Sequence, residues 1–299
     1  MGFWIIYFEM TNLAIFIGFL IYLIVKKHYR QISTLLVGSI FGVTLEFINV
    51  LVFANYYYNP GFLIQVGGAN NIPIIIGLSW GMLLTSAREI TKNYTIPKGI
   101  KALFEAIFVV SVDLFLDVVA VRIEGGFWTW IGIPLSTEIN YDSIIGIPWG
   151  NYFGWFCVVF YSSLVLYFID KRFSEESFKV LSLRTIIGVI GAEILLFVSL
   201  LLALVFHLIH AVSLLFLIPY FGGTIFILIY FIRTKTPFKT KIDTWFPCLF
   251  FFTSYLFCLI TMITLGLVIE IPWYFALLCL FMGGSIVYLV WRTYKKREK

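Results

Sequence analysis

Four carboxylic acids in this 299-residue chain lie well inside long apolar stretches, away from their ends: Glu46, Asp113, Asp117 and Glu193. A charged side chain at the centre of a bilayer costs roughly 2.5–3.5 kcal/mol or more, so each is a candidate functional group. Asp113 and Asp117 are i and i+4, which puts both on one face of a helix about 6 Å apart. No Lys or Arg lies well inside the same stretches to pair with them. Desolvation and like charge both favour the neutral acid, so the four cannot all be ionised. At least one is expected to hold a proton at neutral pH. Such a group suits protonation of a carbon–carbon double bond or removal of a proton from a carbocation, and a second carboxyl bonded to the first would help it hand the proton on. The competing reading is that these acids bond to one another and to helix backbones for packing alone.

Aromatic residues follow two of the acids at a repeated spacing. Tyr57, within Tyr56-Tyr57-Tyr58, comes eleven residues after Glu46, and Trp128, within Phe127-Trp128-Thr129-Trp130, comes eleven after Asp117. Each copy then runs through a polar loop to Ile-Pro, at Pro73 and Pro148, with Trp80 and Trp155 seven residues further on. Aromatic faces beside an acid could stabilise a developing cation through their negative quadrupole.

The elements that position these groups are expected to be transmembrane helices. The chain is 61% hydrophobic with 12% charged residues, against about 25% charged in soluble domains, so it reads as an integral membrane protein in contact with the lipid bilayer. Windows of about 20 apolar residues fall near 3–25, 35–54, 71–87, 101–121, 147–169, 183–206, 211–232, 246–269 and 272–291. The expectation is an all-α polytopic bundle of about nine spans, or eight if one of the brief turns near 207–210 or 270–271 does not separate two crossings. Alternating sides then place 20 of the 21 basic residues together, with Arg122 alone opposite. By the positive-inside rule that side is cytoplasmic, with the N-terminus outside, the C-terminus inside and the plasma membrane as location. Met1-Gly2-Phe3-Trp4 lacks the basic start of a secretory signal, so the first segment is expected to remain as a helix.

This topology makes the repeat a parallel duplication within one membrane domain over 1–299, as in other membrane folds. Residues 35–87 form a first hairpin, 101–170 a second, and 181–299 supply C-terminal helices. Both outer loops, 55–70 and 122–146, would face the same side. They carry Asn55, Asn59, Gln65, Asn70, Asn71, Glu124, Glu138, Asn140 and Asp142, and would either fold back as a lid or stay solvated.

Several function classes are excluded or disfavoured. The +5 net charge is dispersed among loops, which argues against nucleic acid. The four cysteines form no Cys-x-x-Cys pair and read as small buried hydrophobes. Three histidines are too few for a membrane di-iron centre, and His207 and His210, one turn apart, fit interfacial packing better than a metal. No phosphate-binding or dinucleotide-binding glycine pattern stands in a suitable context, so no cofactor is expected.

The second copy resembles the carotenoid-biosynthesis membrane proteins that include carotenoid hydratases. The matching text is Leu116-Asp117-Val118-Val119-Ala120, then Gly126-Phe127-Trp128-Thr129-Trp130, then Gly146-Ile147-Pro148-Trp149-Gly150-Asn151-Tyr152-Phe153-Gly154-Trp155. The family pattern reads Asp-Pro-x-Ala, Gly-x-Trp-x-Trp and Gly-[Ile/Val]-Pro-x-x-Asn-[Phe/Tyr]-x-Gly-Trp. The first copy, Glu46 then Phe53-Ala54-Asn55-Tyr56-Tyr57-Tyr58, is similar to Phe-Gly-x-Tyr-x-Tyr. Val118 replaces the usual proline, Ala54 replaces a glycine, and the quoted motifs cover roughly 35–170. The resemblance implies an apolar polyene or isoprenoid substrate and cofactor-independent hydration of a terminal double bond of an acyclic end group to a tertiary alcohol. On the physical argument, Asp117 with Asp113 donates the proton and Glu46 orients or deprotonates water, which Asn151 could hold. Tyr56, Tyr58, Trp80, Trp128, Trp130 and Trp155 would line the pocket, with Glu193 as a further polar contact.

Two other classes fit the same residues. A proton-coupled transporter or lipid-binding protein would also use midplane carboxylates and parallel repeats. An isoprenoid or carotenoid cyclase would begin with the same protonation and differ in what captures the cation.

Overall fold

A computed structural model describes residues 2–67, 72–173, 177–235 and 241–294. Asn70 and Asn71 of the first outer loop, and the basic residues after Tyr294, lie outside the described residues. Helices form where apolar windows lie: α1 (Phe3–Val25), α2 (Tyr29–Phe47), α3 (Ile74–Thr91), α4 (Lys98–Ala120), α5 (Trp149–Arg172), α6 (Phe178–Leu208), α7 (Val212–Leu217), α8 (Gly223–Thr234), α9 (Phe246–Thr264), α10 (Leu267–Glu270) and α11 (Pro272–Tyr294). One π-helical turn, Ile48–Val52, continues α2, and another, Ile218–Gly222, joins α7 to α8. Among the described residues seven stretches are long and apolar enough to cross a bilayer. The two remaining expected windows are also helical. They are less apolar because α3 carries Arg88 and Glu89 while α4 carries Lys98, Lys101, Glu105, Asp113 and Asp117. The protein is a multi-pass helical membrane protein.

The loops expected between the helices hold short strands as well. β1 (Tyr56–Tyr58) pairs antiparallel with β4 (Trp128–Trp130), so the aromatic clusters of the two sequence copies lie side by side. β2 (Gln65–Val66) pairs with β3 (Ile72–Pro73), and β5 (Ser143–Ile144) with β6 (Ile147–Pro148). Each Ile-Pro is thus the last strand before a helix, where proline's missing N–H is no loss. Side chains i and i+2 of a strand share a face. The Tyr-x-Tyr and Trp-x-Trp spacings were the available signal for β1 and β4.

The chain divides into two compact units. The first comprises Met1–Thr85, Ala120–Pro134 and Tyr161–Val198. Its centre is the crossing of α2 and α3, where each helix presents a Gly-x-x-x-Gly face: Gly38 and Gly42, Gly77 and Gly81. A Cβ on Gly38 would lie 2.8 Å from the Gly81 Cα, and one on Gly42 would lie 2.8 Å from Trp80 Cβ and Cγ. Without side chains there, the backbones approach closely, as membrane helices do at small residues. Trp80 is thereby laid against α2 one turn before Glu46. In α1, Glu9 accepts the backbone N–H groups of Leu63 (2.7 Å) and Ile64 (2.9 Å), fixing the first outer loop. Arg184 is buried and paired with Asp170 at 2.8 Å.

Ala54, where the resembling family has glycine, has φ +50°. That left-handed conformation costs a non-glycine residue about 1–2 kcal/mol, partly offset by the greater chain entropy glycine loses. Ala54→Gly is therefore expected to raise stability by about 0.5–1 kcal/mol, read as a higher denaturation midpoint in detergent.

The second unit comprises Ser86–Val119, Leu135–Phe160 and Ser199–Lys299. Aromatic contacts bind α4 to its neighbours: Phe108 meets Phe251 edge-on at 4.8 Å, and Phe115 meets Tyr274 at 5.2 Å and Phe281 at 5.7 Å. Arg292, near the end of α11, is fully buried. Its guanidinium lies 4.5 Å from the centre of the Tyr94 ring and bonds the Tyr288 hydroxyl at 2.7 Å. The same hydroxyl meets that of Tyr94 at 2.6 Å. Burial, with Tyr288 adding to it, holds the Tyr94 phenol well above the ordinary tyrosine range.

Candidate functional site

In the first unit, Glu46 sits on the last turn of α2 before the π-helical turn and is 5% exposed. Wide turns of this kind recur at functional positions. Three donors converge on its carboxyl. The hydroxyl of Tyr56 donates to Oε2, that of Tyr58 donates to the same oxygen at 2.7 Å, and the Trp80 indole N–H donates as well. β1 makes this possible because Tyr56 and Tyr58 share one strand face. Tyr57, the residue at the repeat spacing, points the other way and is 51% exposed. Burial and the charge of Glu46 hold the Tyr58 phenol well above the ordinary tyrosine range, so Tyr58 remains a donor.

Across the ladder, Tyr56 is opposite Trp130 and Tyr58 opposite Trp128. The Tyr56 and Trp130 rings are edge-on at 4.7 Å, and those of Tyr58 and Trp128 at 6.1 Å. Backbone bonds extend the pairing, from Asn59 N–H to Phe127 O (2.9 Å) and from Ile131 N–H to Asn55 O (3.0 Å). The Asn59 amide also donates to Gly126 O at 2.8 Å. Gly126 has φ +69°, and a Cβ there would lie 2.9 Å from Trp128 O. The glycine of Gly-x-Trp-x-Trp therefore turns the chain into β4, and the two tryptophans follow on a shared face.

Glu193 is not brought to this cluster. It is half-buried on α6 and accepts the hydroxyl of Thr44. Thr44 is two residues from Glu46, about 200° around α2, and its hydroxyl also reaches Phe41 O at 2.9 Å.

In the second unit, Asp113 and Asp117 are both fully buried on one face of α4. Asn151, in the first turn of α5, donates its amide to Asp117 Oδ2. Among the described residues, no N–H or O–H group donates to either oxygen of Asp113. Its carboxyl instead faces that of Asp117. Two buried carboxyls one helical turn apart disfavour having both ionised. Trp155 is half-buried one turn beyond Asn151 on α5.

Two tyrosines that were not among the expected site residues brace this pair. Tyr152 and Tyr274 both donate to the carbonyl of Leu114, the residue after Asp113, with the first bond long at 3.5 Å. Cys258 is fully buried and within electrostatic reach of both aspartates. Nothing in the spacing along the chain could have paired Leu114 with Tyr274, 160 residues away. Glu105 was missed for a different reason. It lies at the edge of an apolar window, yet it is fully buried and accepts the Thr91 hydroxyl.

A family model described as carotenoid biosynthesis protein matches residues 6–229. The chain belongs to that family. No curated protein and no solved structure matches it. The match extends beyond the quoted motifs of 35–170 to take in α1 and the helices as far as α8. The carotenoid biosynthesis protein thus owes both carboxyl sites to the matched segment, while Tyr274 and Cys258 come from the helices after it.

The departure at Val118 now has a structural context. Residue 118 of α4 would donate its N–H to the carbonyl of residue 114, the one the two tyrosines also approach. A proline at 118 would remove that donor but leave the carbonyl served. Val118→Pro in this carotenoid biosynthesis protein is therefore expected to cost clearly less than the about 3 kcal/mol typical of a helix interior. Val112→Pro, in the same helix, should cost that full amount. Denaturation midpoints of the two variants in detergent make the comparison, and equal losses would contradict the bracing role of Tyr152 and Tyr274.

Proposed function

We propose that this carotenoid biosynthesis protein hydrates a terminal double bond of an acyclic carotenoid end group, giving a tertiary alcohol without a redox cofactor. The observation that carries the reading is the opposite character of the two carboxyl sites. Asp117 accepts the Asn151 amide, and among the described residues no group donates to either oxygen of Asp113, so the pair is assigned the proton-donor role. Glu46 receives three donors and acts as an acceptor.

Hydration needs one group of each kind. Asp117 gives its proton to the less substituted alkene carbon as the π electrons form the C–H bond, leaving a tertiary cation. Asp113 stabilises the pair during this transfer, and aromatic faces stabilise the positive charge. A water oxygen then forms the C–O bond, and one of its O–H bonds breaks to give Glu46 the proton. The alkene and one water are consumed, and exchange with solvent returns both acids to their starting states. Trp80, Trp128, Trp130, Tyr56 and Tyr58 are assigned to the Glu46 environment, and Asn151 and Trp155 to that of Asp117. Because the Asn151 amide is engaged by Asp117, Asn151 is assigned to orienting that acid rather than holding water. Glu193 is retained as a polar contact apart from the Glu46 cluster.

The accompanying topology has nine crossings, an outer N-terminus, a cytoplasmic C-terminus and two parallel hairpins in the plasma membrane. The deciding experiment is mass spectrometry of pigments from a host that makes an acyclic carotene and expresses this protein. A mass gain of one water per modified end is expected. An unchanged mass with altered absorption would replace hydration by cyclisation, and unchanged pigment would reject both.

A further inference from the structure

The first unit contains two donors that its packing does not use. The indole Nε1 atoms of Trp128 and Trp130 are closed off from solvent and, among the described residues, have no hydrogen-bond partner. Trp128 as a whole is only 8% exposed. A buried N–H without an acceptor costs about 1–3 kcal/mol, and such groups in native proteins usually mark a water, ion or ligand site. One orphan could be incidental. Here two stand on alternate residues of β4 and therefore on one face of the strand. That face meets Tyr56 and Tyr58, whose hydroxyls both donate to Glu46.

The ligand chemistry follows from what is missing. An indole N–H only donates, so its partner must be an acceptor. An anion is disfavoured because the neighbouring Glu46 is a carboxyl and the described residues named here, Tyr56, Tyr58, Trp80, Trp128 and Trp130, carry no positive charge. A hydroxyl oxygen satisfies every group present: its lone pairs accept from indole, and its own O–H donates to Glu46. We propose that Trp128 and Trp130 form a hydroxyl-oxygen site beside Glu46, filled either by water or by the alcohol end of an isoprenoid chain. Under the proposed hydration, on which its use in catalysis rests, this is where water would wait and where the product oxygen would remain. The tryptophans thereby act as hydrogen-bond donors to oxygen in addition to walling an apolar end group.

The test uses the full-length protein in lipid nanodiscs. Ultraviolet resonance Raman spectra report indole hydrogen bonding, and Trp128→Phe and Trp130→Phe assign the bands among the nine tryptophans. Binding of linalool, a tertiary isoprenoid alcohol, is compared with that of myrcene, a hydrocarbon of similar shape. Each N–H lost is expected to weaken linalool about fivefold, the equivalent of one net hydrogen bond of about 1 kcal/mol, and to leave myrcene within about twofold. Hydrogen-bonded indole bands without ligand, and no preference for the alcohol, would support the site with water as the oxygen. Free indole bands with and without linalool would overturn it, as would equal weakening of both probes in the phenylalanine variants. The spectra of the unsubstituted protein keep the test open if a variant does not fold. Intact alcohol selectivity with no hydrated pigment in the host would reject the hydratase reading and keep the site.

Discussion

Asp117→Asn is expected to lower formation of hydrated carotenoid by at least about a hundredfold, within the 10²–10⁴ range for loss of a general acid. Asparagine keeps the size of aspartate and can still accept the Asn151 amide that now meets Oδ2, but it has no acidic proton. The variant should also fold, because the burial cost of this site falls when a carboxyl pair becomes a carboxyl and an amide. A denaturation midpoint close to that of the parent, together with lost product, is the expected combination. Asp113→Asn should be milder. It leaves Asp117 as an acid and supplies an amide N–H where a carboxyl now meets a carboxyl. Pigment mass spectrometry in an acyclic-carotene host measures both variants, and undiminished hydrated product from Asp117→Asn would remove Asp117 from the mechanism.

Glu46→Gln should have an effect of similar size on product and a larger one on stability. Glutamine offers one acceptor oxygen where Tyr56, Tyr58 and Trp80 all donate, so its NH₂ is left facing a donor or the tyrosines must turn away. A buried donor left unmatched costs about 1–3 kcal/mol. The fall in product therefore needs a companion variant to separate chemistry from folding. Glu46→Leu combined with Tyr56→Phe, Tyr58→Phe and Trp80→Phe removes the acceptor and all three donors together, which in a buried cluster can be nearly neutral. We expect the combined variant to regain most of the stability lost in Glu46→Gln while making no hydrated pigment. Recovery of product alongside stability would instead make Glu46 a packing anchor.

Much of this arrangement was legible in the chain, in particular places and for particular reasons. Glu46, Asp113 and Asp117 were visible because an acid in an apolar window has few innocent explanations, and all three are buried. Pairing of the aspartates followed from their i, i+4 spacing. The crossing of α2 and α3 was also present in the text, as Gly38-x-x-x-Gly42 and Gly77-x-x-x-Gly81. A small-residue spacing becomes a contact face only where two helices meet, and neither stretch names its partner. Strands β1 and β4 were likewise present in Tyr-x-Tyr and Trp-x-Trp. Stretches of three residues are too short for hydrophobic periodicity to reveal, and a run of consecutive aromatics masks which of them share a face.

By itself, the sequence determined that this protein crosses a membrane, that its acids sit among apolar residues, and which motifs place it near the carotenoid biosynthesis proteins. Those properties depend on composition and on spacings of a few residues, where helix and strand geometry alone decide what lies together. Only the tertiary structure decided the partners: three donors on Glu46, the tyrosines of two helices at Leu114, Glu193 turned to Thr44, and two indole N–H groups left over beside Glu46. Such partnerships join residues 10 to 160 positions apart. They arise from the packing of whole helices and a ladder between loops, and local preference along the chain carries no record of which distant hydroxyl will meet which buried oxygen.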